Sequence, residues 1–595
     1  MSSGRGAAAK AATTGAPRLL VSAAHKSSGK TTVTLGLAAA WAAQGLAVQC
    51  FKKGPDYIDP MWLALASGRP CYNLDPHLSD AAAIEERVRR SAAGADLALI
   101  EGNKGLYDGL ALDGSNSNAA LARLLGAPVV LVLDARGMTR GIAPLVLGYQ
   151  AFDRNIKIGG VILNRVGGAR HESKLRAVLE HYTDVPVLGA VAEDARLALA
   201  ERHLGLVPCV EHDSATAWVA EVARAIASQV DLGRVRALAQ APAEAATATA
   251  TTTASWPADD RAAGTPTQPP LRIGIARDRA FGFYYPDDLE ALAAGGAELV
   301  FIDTLADQRL PVLDGLFIGG GFPETCAEAL EDNPALRTAL REAIEGGLPT
   351  YAECGGLMLL ARSIRWHDRS SEMVGVIPAD AVMHARPVGR GYVQLAETGA
   401  MPWPASDAAV PLPGKVRAHE FHYASLEGLP PGQRFAWRVE RGHGIDGRHD
   451  GLVLHNLLAS FSHLRHGAGV RWVDRFLAQV RRVREARRAG EAFKARETGE
   501  ARATCAARSA YDDARERGRK ASVSDARATR GAAAARGEGG KSHEPLDADT
   551  AAGSAPAAQD NARPTPVGAD PSAHGRLRLV SSARAPAGAR TRVRA

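Results

Sequence analysis

Leu19-Leu20-Val21-Ser22-Ala23-Ala24-His25-Lys26-Ser27-Ser28-Gly29-Lys30-Thr31-Thr32 runs from an apolar segment into a small polar loop, then into Val33-Thr34-Leu35-Gly36-Leu37-Ala38. The apolar run reads as a strand and the following spacing as a helix. Strand, loop and helix in that order turn backbone N–H groups and a helix N-terminus toward an anion. Lys30 reaches the β- and γ-phosphates of a nucleoside triphosphate, the Thr31 hydroxyl ligates Mg²⁺, and Ser28, Gly29 and Thr32 complete the cradle. The G-x-x-x-x-G-K-[ST] pattern asks for glycine at position 24, where this chain has Ala24. The competing reading is a Ser/Gly-rich turn capping an ordinary helix. The strand before the loop and the helix after it favour the phosphate site.

Working outward, Val48-Gln49-Cys50-Phe51-Lys52 is a second short strand that enters Lys53-Gly54-Pro55-Asp56-Tyr57-Ile58-Asp59-Pro60. Loops at strand C-termini are where open α/β sheets place their chemistry. Lys52 adds positive charge for phosphates, and Asp56 or Asp59 is placed to hold Mg²⁺ or to orient an acceptor. Gly-Pro-Asp is also ordinary turn chemistry. A third strand, Asp96 to Ile100, ends in Glu101-Gly102-Asn103-Lys104-Gly105-Leu106-Tyr107-Asp108-Gly109. An acidic residue at a strand end is the usual second metal-organising carboxylate of phosphate-loop enzymes, and Glu101 is chosen for it. Val129–Asp134 and Gly159–Val166 are further strands, and their near-continuous apolar runs predict a mostly parallel sheet covered by helices. Asn164, at a strand end, is placed to read adenine or to form a turn.

Residues 238–270 are Ala/Thr/Pro-rich and read as a linker. Arg272–Ala276 opens a second α/β unit. Gly315-Leu316-Phe317-Ile318 ends in Gly319-Gly320-Gly321-Phe322-Pro323-Glu324, glycines suited to an oxyanion hole. Leu348 to Glu353 then meets Cys354-Gly355-Gly356-Leu357-Met358. A strand-to-helix turn carrying Cys has the form of a nucleophile elbow, with the sulfur at a helix N-terminus. A lone Cys is more often inert packing, but the glycines favour a nucleophile. Its base lies among His419, His422, His455, His463 and His466, which spacing cannot separate. His463 is favoured because it follows the last strand pattern.

The 595 residues are too many for one domain. Net charge is +6, yet residues 481–595 hold 24 Lys/Arg against 14 Asp/Glu, so the remainder is slightly acidic and offers no basis for nucleic-acid binding. The six cysteines show no CxxC spacing, and no run is long enough to span a bilayer. The expectation is a soluble, cytoplasmic protein with free thiols. Residues 1–16 and 485–595 are low-complexity and are expected to be disordered, the latter as a basic tail or an arm for a polyanion.

Taken together, Ser28 to Thr32, Phe51 to Pro60, Glu101 to Gly109, Gly160 to Val166, Gly319 to Glu324, Cys354 to Met358 and His419 to Tyr423 resemble the cobyrinic acid a,c-diamide synthase family. The motifs span residues 18–480 in order, and Lys-Gly-Pro-Asp-Tyr-Ile-Asp is the most specific. The resemblance implies a dethiobiotin-synthetase-like phosphate-loop domain (17–237) followed by a class I-like glutamine amidotransferase domain (271–484). Cys354 then attacks glutamine, with Gly321 and Gly355 as oxyanion donors and His463 as base. Ammonia passes to the first domain, where ATP activates the a- and c-carboxylates of the corrinoid as mixed anhydrides. Thr31, Asp56 and Glu101 form the metal set, Lys30 and Lys52 bind phosphate, and Asp59, Tyr57, Tyr107 and Asp108 are assigned to substrate. The family lacks the usual third Glu of the triad. Two departures stand out: Phe461 and Arg465 beside His463, and Asn103-Lys104 in the Gly-rich loop. Cobalt-free hydrogenobyrinic acid, cobyric acid synthesis and a non-amidating regulatory ATPase are the alternatives, and a homodimer is left open.

Overall fold

The computed structural model describes residues 15–239 apart from 200, 203–204 and 213, residues 269–403, and residues 414–490 apart from 468–469. Nearly all of the expected linker and N-terminal segment, and the tail beyond 490, lie outside the described residues. Residues 485–490, assigned by composition to the tail, continue a helix that runs over 472–490.

Seven strands make the first sheet: β1 (Arg18–Ala23), β2 (Val48–Lys53), β3 (Tyr72–Leu74), β4 (Leu97–Glu101), β5 (Val129–Asp134), β6 (Ile158–Val166) and β7 (Val187–Ala192). Their order is β3-β2-β4-β1-β5-β6-β7, and each neighbouring pair is parallel. Val, Leu and Ile fill these strands because helices cover both faces. Parallel register also aligns the chemistry. Val21 pairs with Glu101, and Glu101 pairs with Lys52, so strand ends deliver the loop after β1, the Glu101 carboxylate and the Lys52 ammonium to one edge. Helix α1 (Lys30–Ala43) follows the loop, and α2 (Ile58–Ser67) follows β2. Helix α3 (Ala215–Gln229) lies against α1, where Gly36 gives it room. A Cβ at Gly36 would come within 2.3 Å of Ile226 Cγ1.

The second sheet has nine strands: β8 (Leu271–Ala276), β9 (Ala297–Ile302), β10 (Gly315–Ile318), β11 (Thr350–Glu353), β12 (Gly389–Glu397), β13 (Val416–His422), β14 (Arg434–Arg441), β15 (His449–Leu454) and β16 (Leu457–Ser460). They lie in the order β9-β8-β10-β11-β16-β15-β14-β12-β13. The first five are mutually parallel and the rest antiparallel. The short helix α4 (Gly355–Leu360) begins directly beyond Cys354.

The two sheet-bearing halves meet along residues 72–77. Tyr72 donates to Glu290, Arg465 Nη2 donates to the Asn73 carbonyl at 2.6 Å, the Tyr392 hydroxyl donates to Asp75 at 3.0 Å, and Arg417 donates to the His77 carbonyl at 2.8 Å. Among the described residues no helix is long and apolar enough to cross a membrane.

Gly36→Val should force α1 and α3 apart and cost about 1–3 kcal/mol, the usual penalty for overpacking a filled interface. A urea-unfolding midpoint equal to that of the wild type would contradict this packing.

Candidate functional site

The loop after β1 is built around two left-handed residues, Ser27 (φ 61°) and Gly29 (φ 86°). Ala24 is not among the left-handed residues, so the missing glycine leaves no strain there. The Ser28 hydroxyl donates to the His25 carbonyl at 2.8 Å and fixes the bend. Asn164 Nδ2 donates to the Ser28 carbonyl at 2.9 Å. Asn164, expected to contact adenine or to form a turn, thus holds the loop from below. Gly29 is needed here, since a Cβ would fall 2.0 Å from Asn164 Nδ2.

Beside the loop sits a buried charge cluster. Lys52 Nζ donates to Asp59 and, at 3.0 Å, to Glu101 Oε1. The Thr31 hydroxyl donates to the same Glu101 oxygen at 2.7 Å and lies 3.4 Å from Asp59 Oδ2. Burial alone would discharge Lys52, but Asp59 and Glu101 outweigh it and raise its pKa. Burial pushes the Glu101 carboxyl up, and Lys52 works against that. Lys30 is lowered, first by burial and then by its neighbour Lys52.

The metal set expected from the sequence is only partly assembled. Asp56 Oδ1 accepts the N–H groups of Ile58 and Asp59, both at 3.0 Å, so this carboxylate caps α2. Burial and the adjacent Asp59 push it up to about 7. Asp59, expected to contact substrate, takes the place beside Thr31, Lys52 and Glu101 instead. The reason is local: Asp56, before the helix, spends an oxygen on the first N–H groups of α2, while Asp59, in its first turn, meets Lys52 and Thr31. Among the described residues no three His, Cys, Asp or Glu side chains converge on one point. The cluster nonetheless suits a hard divalent cation. Glu101 Oε2 is buried without a hydrogen-bond partner, and the surrounding donors are oxygen atoms of the type Mg²⁺ prefers.

In the second half, parallel pairing of β11 with β16 sets Glu353 opposite Ser460, and the Cys354 N–H donates to the Ser460 carbonyl at 2.7 Å. Cys354 has φ 49° and ψ −100°, a strained turn that lifts the thiol out of the strand at the start of α4. The chain beyond β16 brings His463 to it. Gly321 has no room for a side chain, because a Cβ would lie 1.9 Å from the Ala280 carbonyl oxygen. Gly355 is its close neighbour, with a built Cβ 3.0 Å from Gly321 N. The two expected oxyanion donors therefore lie side by side.

His463 Nδ1 lies 3.3 Å from Glu353 Oε2. Glu353 is 2% exposed; its other oxygen accepts the Leu464 N–H at 2.9 Å and the Tyr351 hydroxyl. Burial disfavours charge on His463, but hydrogen bonds to Cys354 and Glu353 prevail and raise it to about 10. That direction favours the imidazolium form of His463 beside the Cys354 sulfur. A carboxylate partner for His463, which the resemblance withheld, stands immediately before Cys354. Its sequence signal was the acidic end of the strand, Glu353-Cys354.

The other histidines have separate duties. His419 stacks on His463 at 4.9 Å, and burial holds it well below its ordinary pKa. His422 stacks on Phe461 at 4.0 Å and its Nδ1 meets the Ala424 carbonyl at 2.7 Å. His455 occupies an exposed turn at φ 51°. The His466 N–H donates to Asp288 at 2.8 Å. Arg465, a departure from the family motif, pairs with Asp287 at 2.9 Å.

Tyr57 departs furthest from expectation. Its ring leaves the nucleotide cluster and stacks on Phe283 at 5.2 Å, and its hydroxyl lies 3.2 Å from His463 Nδ1. Tyr107 and Asp108 sit elsewhere: the Tyr107 hydroxyl donates to the Tyr149 carbonyl at 2.6 Å, and Asp108 accepts the Gly105 N–H at 2.9 Å. Both shape the Gly-rich loop. One cavity of about 830 Å³ is lined by Lys30, Thr31 and Asn103 from the first half and by Gly321, Cys354 and His463 from the second.

Residues 20–207 match the CobQ/CobB/MinD/ParA nucleotide binding domain, and residues 272–469 match the CobB/CobQ-like glutamine amidotransferase domain. A cobyrinate a,c-diamide synthase of Magnetococcus marinus is 46% identical over 468 residues, covering 79% of this chain and 98% of the relative. The synthase of the same name from Methanosarcina acetivorans is 38% identical over 482 residues, covering 76% and 93%. That of Archaeoglobus fulgidus is 38% identical over 450 residues, covering 75% and 94%.

Glu353→Gln should lower glutamine hydrolysis about 10- to 100-fold. Removing a negative charge from an imidazolium lowers its pKa, so the alkaline limb of the activity profile should move to lower pH from about 10. An unmoved limb would mean that Glu353 does not hold the His463 charge.

Proposed function

We propose, from the premise that this chain belongs to the cobyrinate a,c-diamide synthase family, that it converts the a- and c-carboxylates of cobyrinic acid to amides with ATP and glutamine. The chain is a glutamine-dependent amidating ligase with a nucleotide-binding half. The observation that carries the fuller reading is the single cavity shared by the phosphate loop and the Cys354–His463 pair.

The amidotransferase half, 271–484, supplies nitrogen. The Cys354 thiolate adds to the side-chain amide carbon of glutamine, and the N–H groups of Gly321 and Gly355 receive the developing oxyanion. The C–N bond breaks as the His463 imidazolium protonates the departing ammonia. Water, deprotonated by His463, then cleaves the thioester to glutamate. The ligase half, 17–237, binds ATP through Ser28, Gly29, Lys30 and Thr32, with Lys30 and Lys52 on the phosphates and Asn164 bracing the loop. Thr31, Asp59 and Glu101 would hold Mg²⁺, which supplies charge neutralisation at the transferred phosphoryl group. Asp56 keeps Asp59 in place by capping α2. A corrinoid carboxylate oxygen takes the γ-phosphoryl group of ATP as the bond to ADP breaks; ammonia then attacks the acyl carbon, the C–O bond breaks with release of inorganic phosphate, and loss of a proton leaves the amide. The free, scattered thiols suit a reducing cytoplasm.

Cys354→Ala should abolish glutamine-dependent product yet retain amidation from ammonium chloride. Glu101→Gln should show the reverse, keeping glutamine hydrolysis while losing amide product from either nitrogen source by at least about 100-fold. Product mass after incubation with ATP, Mg²⁺ and cobyrinic acid reads both. Loss of the ammonia-dependent reaction in folded Cys354→Ala would overturn the two-site reading.

A further inference from the structure

Tyr57 belongs by sequence to the ligase half and by position to the amidotransferase site. It lies between Asp56, which caps α2, and Asp59, which bonds Lys52 beside Thr31 and Glu101. Its ring is 9% exposed and is wedged between Phe283 at 5.2 Å and Tyr285 at 4.6 Å. Its hydroxyl reaches His463 Nδ1 at 3.2 Å, the same nitrogen that faces Glu353 at 3.3 Å. Glu353 is anchored by Leu464 and Tyr351. Tyr57 is attached to the loop whose carboxylates face the nucleotide cradle.

We propose that Tyr57 is a positioning residue for His463, through which the nucleotide site sets the rate of glutamine hydrolysis. The inference rests on the amidoligase reading above. A nitrogen with one N–H direction cannot satisfy Tyr57 and Glu353 equally, so a small shift of the 56–59 turn redistributes its hydrogen bond. Such a shift follows when Asp59 exchanges part of its bond to Lys52 for a phosphate-bound cation. Asp56 fastens the turn rigidly, and the displacement therefore reaches the hydroxyl two residues away. With the nucleotide site filled, the imidazole is held squarely by Glu353 and hydrolysis runs fast. With it empty, the Tyr57 hydroxyl competes for Nδ1 and hydrolysis runs slowly. The arrangement limits ammonia release to times when an acceptor is being activated.

The test uses the full chain and Tyr57→Phe, which keeps the ring and removes the hydroxyl. Glutamate release is measured alone, with ATP and Mg²⁺, and with cobyrinic acid added. In the wild type, filling the site should raise kcat for glutamine about tenfold with KM for glutamine within twofold. In Tyr57→Phe that ratio should fall toward one, through a faster unfilled state, while ammonia-dependent amidation stays within twofold. Glu353→Gln should also lower the ratio, but through a slower filled state, since the filled state is the one that relies on Glu353. A wild type without stimulation, a ratio in Tyr57→Phe within twofold of the wild type, or a loss of ammonia-dependent amidation beyond twofold in Tyr57→Phe would each overturn the proposal. Failure to form a diamide from either nitrogen source would sink the proposed substrate instead, and the ratio read with ATP and Mg²⁺ alone still decides the role of Tyr57.

Discussion

One buried ammonium ties the carboxylates of the ligase site together. Lys52 is 2% exposed and touches Asp59 and Glu101 at once. Burial pushes the Glu101 carboxyl up, and the Lys52 ammonium is the first influence that opposes it. Lys52 balances one negative charge and leaves the other for a cation. It does so without using Glu101 Oε2, which stays buried and unbonded. A buried ion cluster of this kind is poor as a source of stability, since desolvation offsets most of its Coulomb energy. Its value is positional. It fixes the Thr31 hydroxyl, the start of α2 and the end of β4 relative to the phosphate loop.

The amidotransferase site reaches a comparable arrangement with hydrogen bonds. Two adjacent parallel strands, β11 and β16, end level with each other, and Cys354 follows one while His463 comes shortly after the other. The backbone bond from Cys354 to Ser460 locks that register, and the strained Cys354 turn is tolerated because Ser460, α4 and Gly321 over-determine it.

The parts legible in sequence were those governed by short-range rules. The strand Val129–Asp134 and the strand Gly315–Ile318 could be read directly from their apolar runs, and the phosphate loop, Glu101, Cys354 and His463 stand where strand ends had to put them. The resemblance put Asp56 with the metal set and Asp59 with substrate; that Asp56 caps α2 while Asp59 meets Lys52 depends on where the helix begins, which the Gly-Pro-Asp turn does not reveal. Tyr57 sat in a motif of the ligase half, yet its seat is made by Phe283 and Tyr285, more than 220 positions away in the chain. Glu353 was visible as a residue but not as a partner, since its distance to His463 depends on the pairing of β11 with β16. The antiparallel half of the second sheet was not predicted, its alternating strands carrying weaker signals than buried parallel ones.

The seam along residues 72–77 has an evolutionary consequence. Asn73, Asp75 and His77 are gripped by Arg465, Tyr392 and Arg417, three positions scattered through the later half of the chain. Arg465 and Arg417 hold backbone carbonyls, which any residue at 73 or 77 presents, and of the three contacts only Tyr392–Asp75 joins two side chains. The selective burden of these hydrogen bonds therefore falls on the later half of the chain, which must keep its two arginines, while the segment that they grip is freer to change.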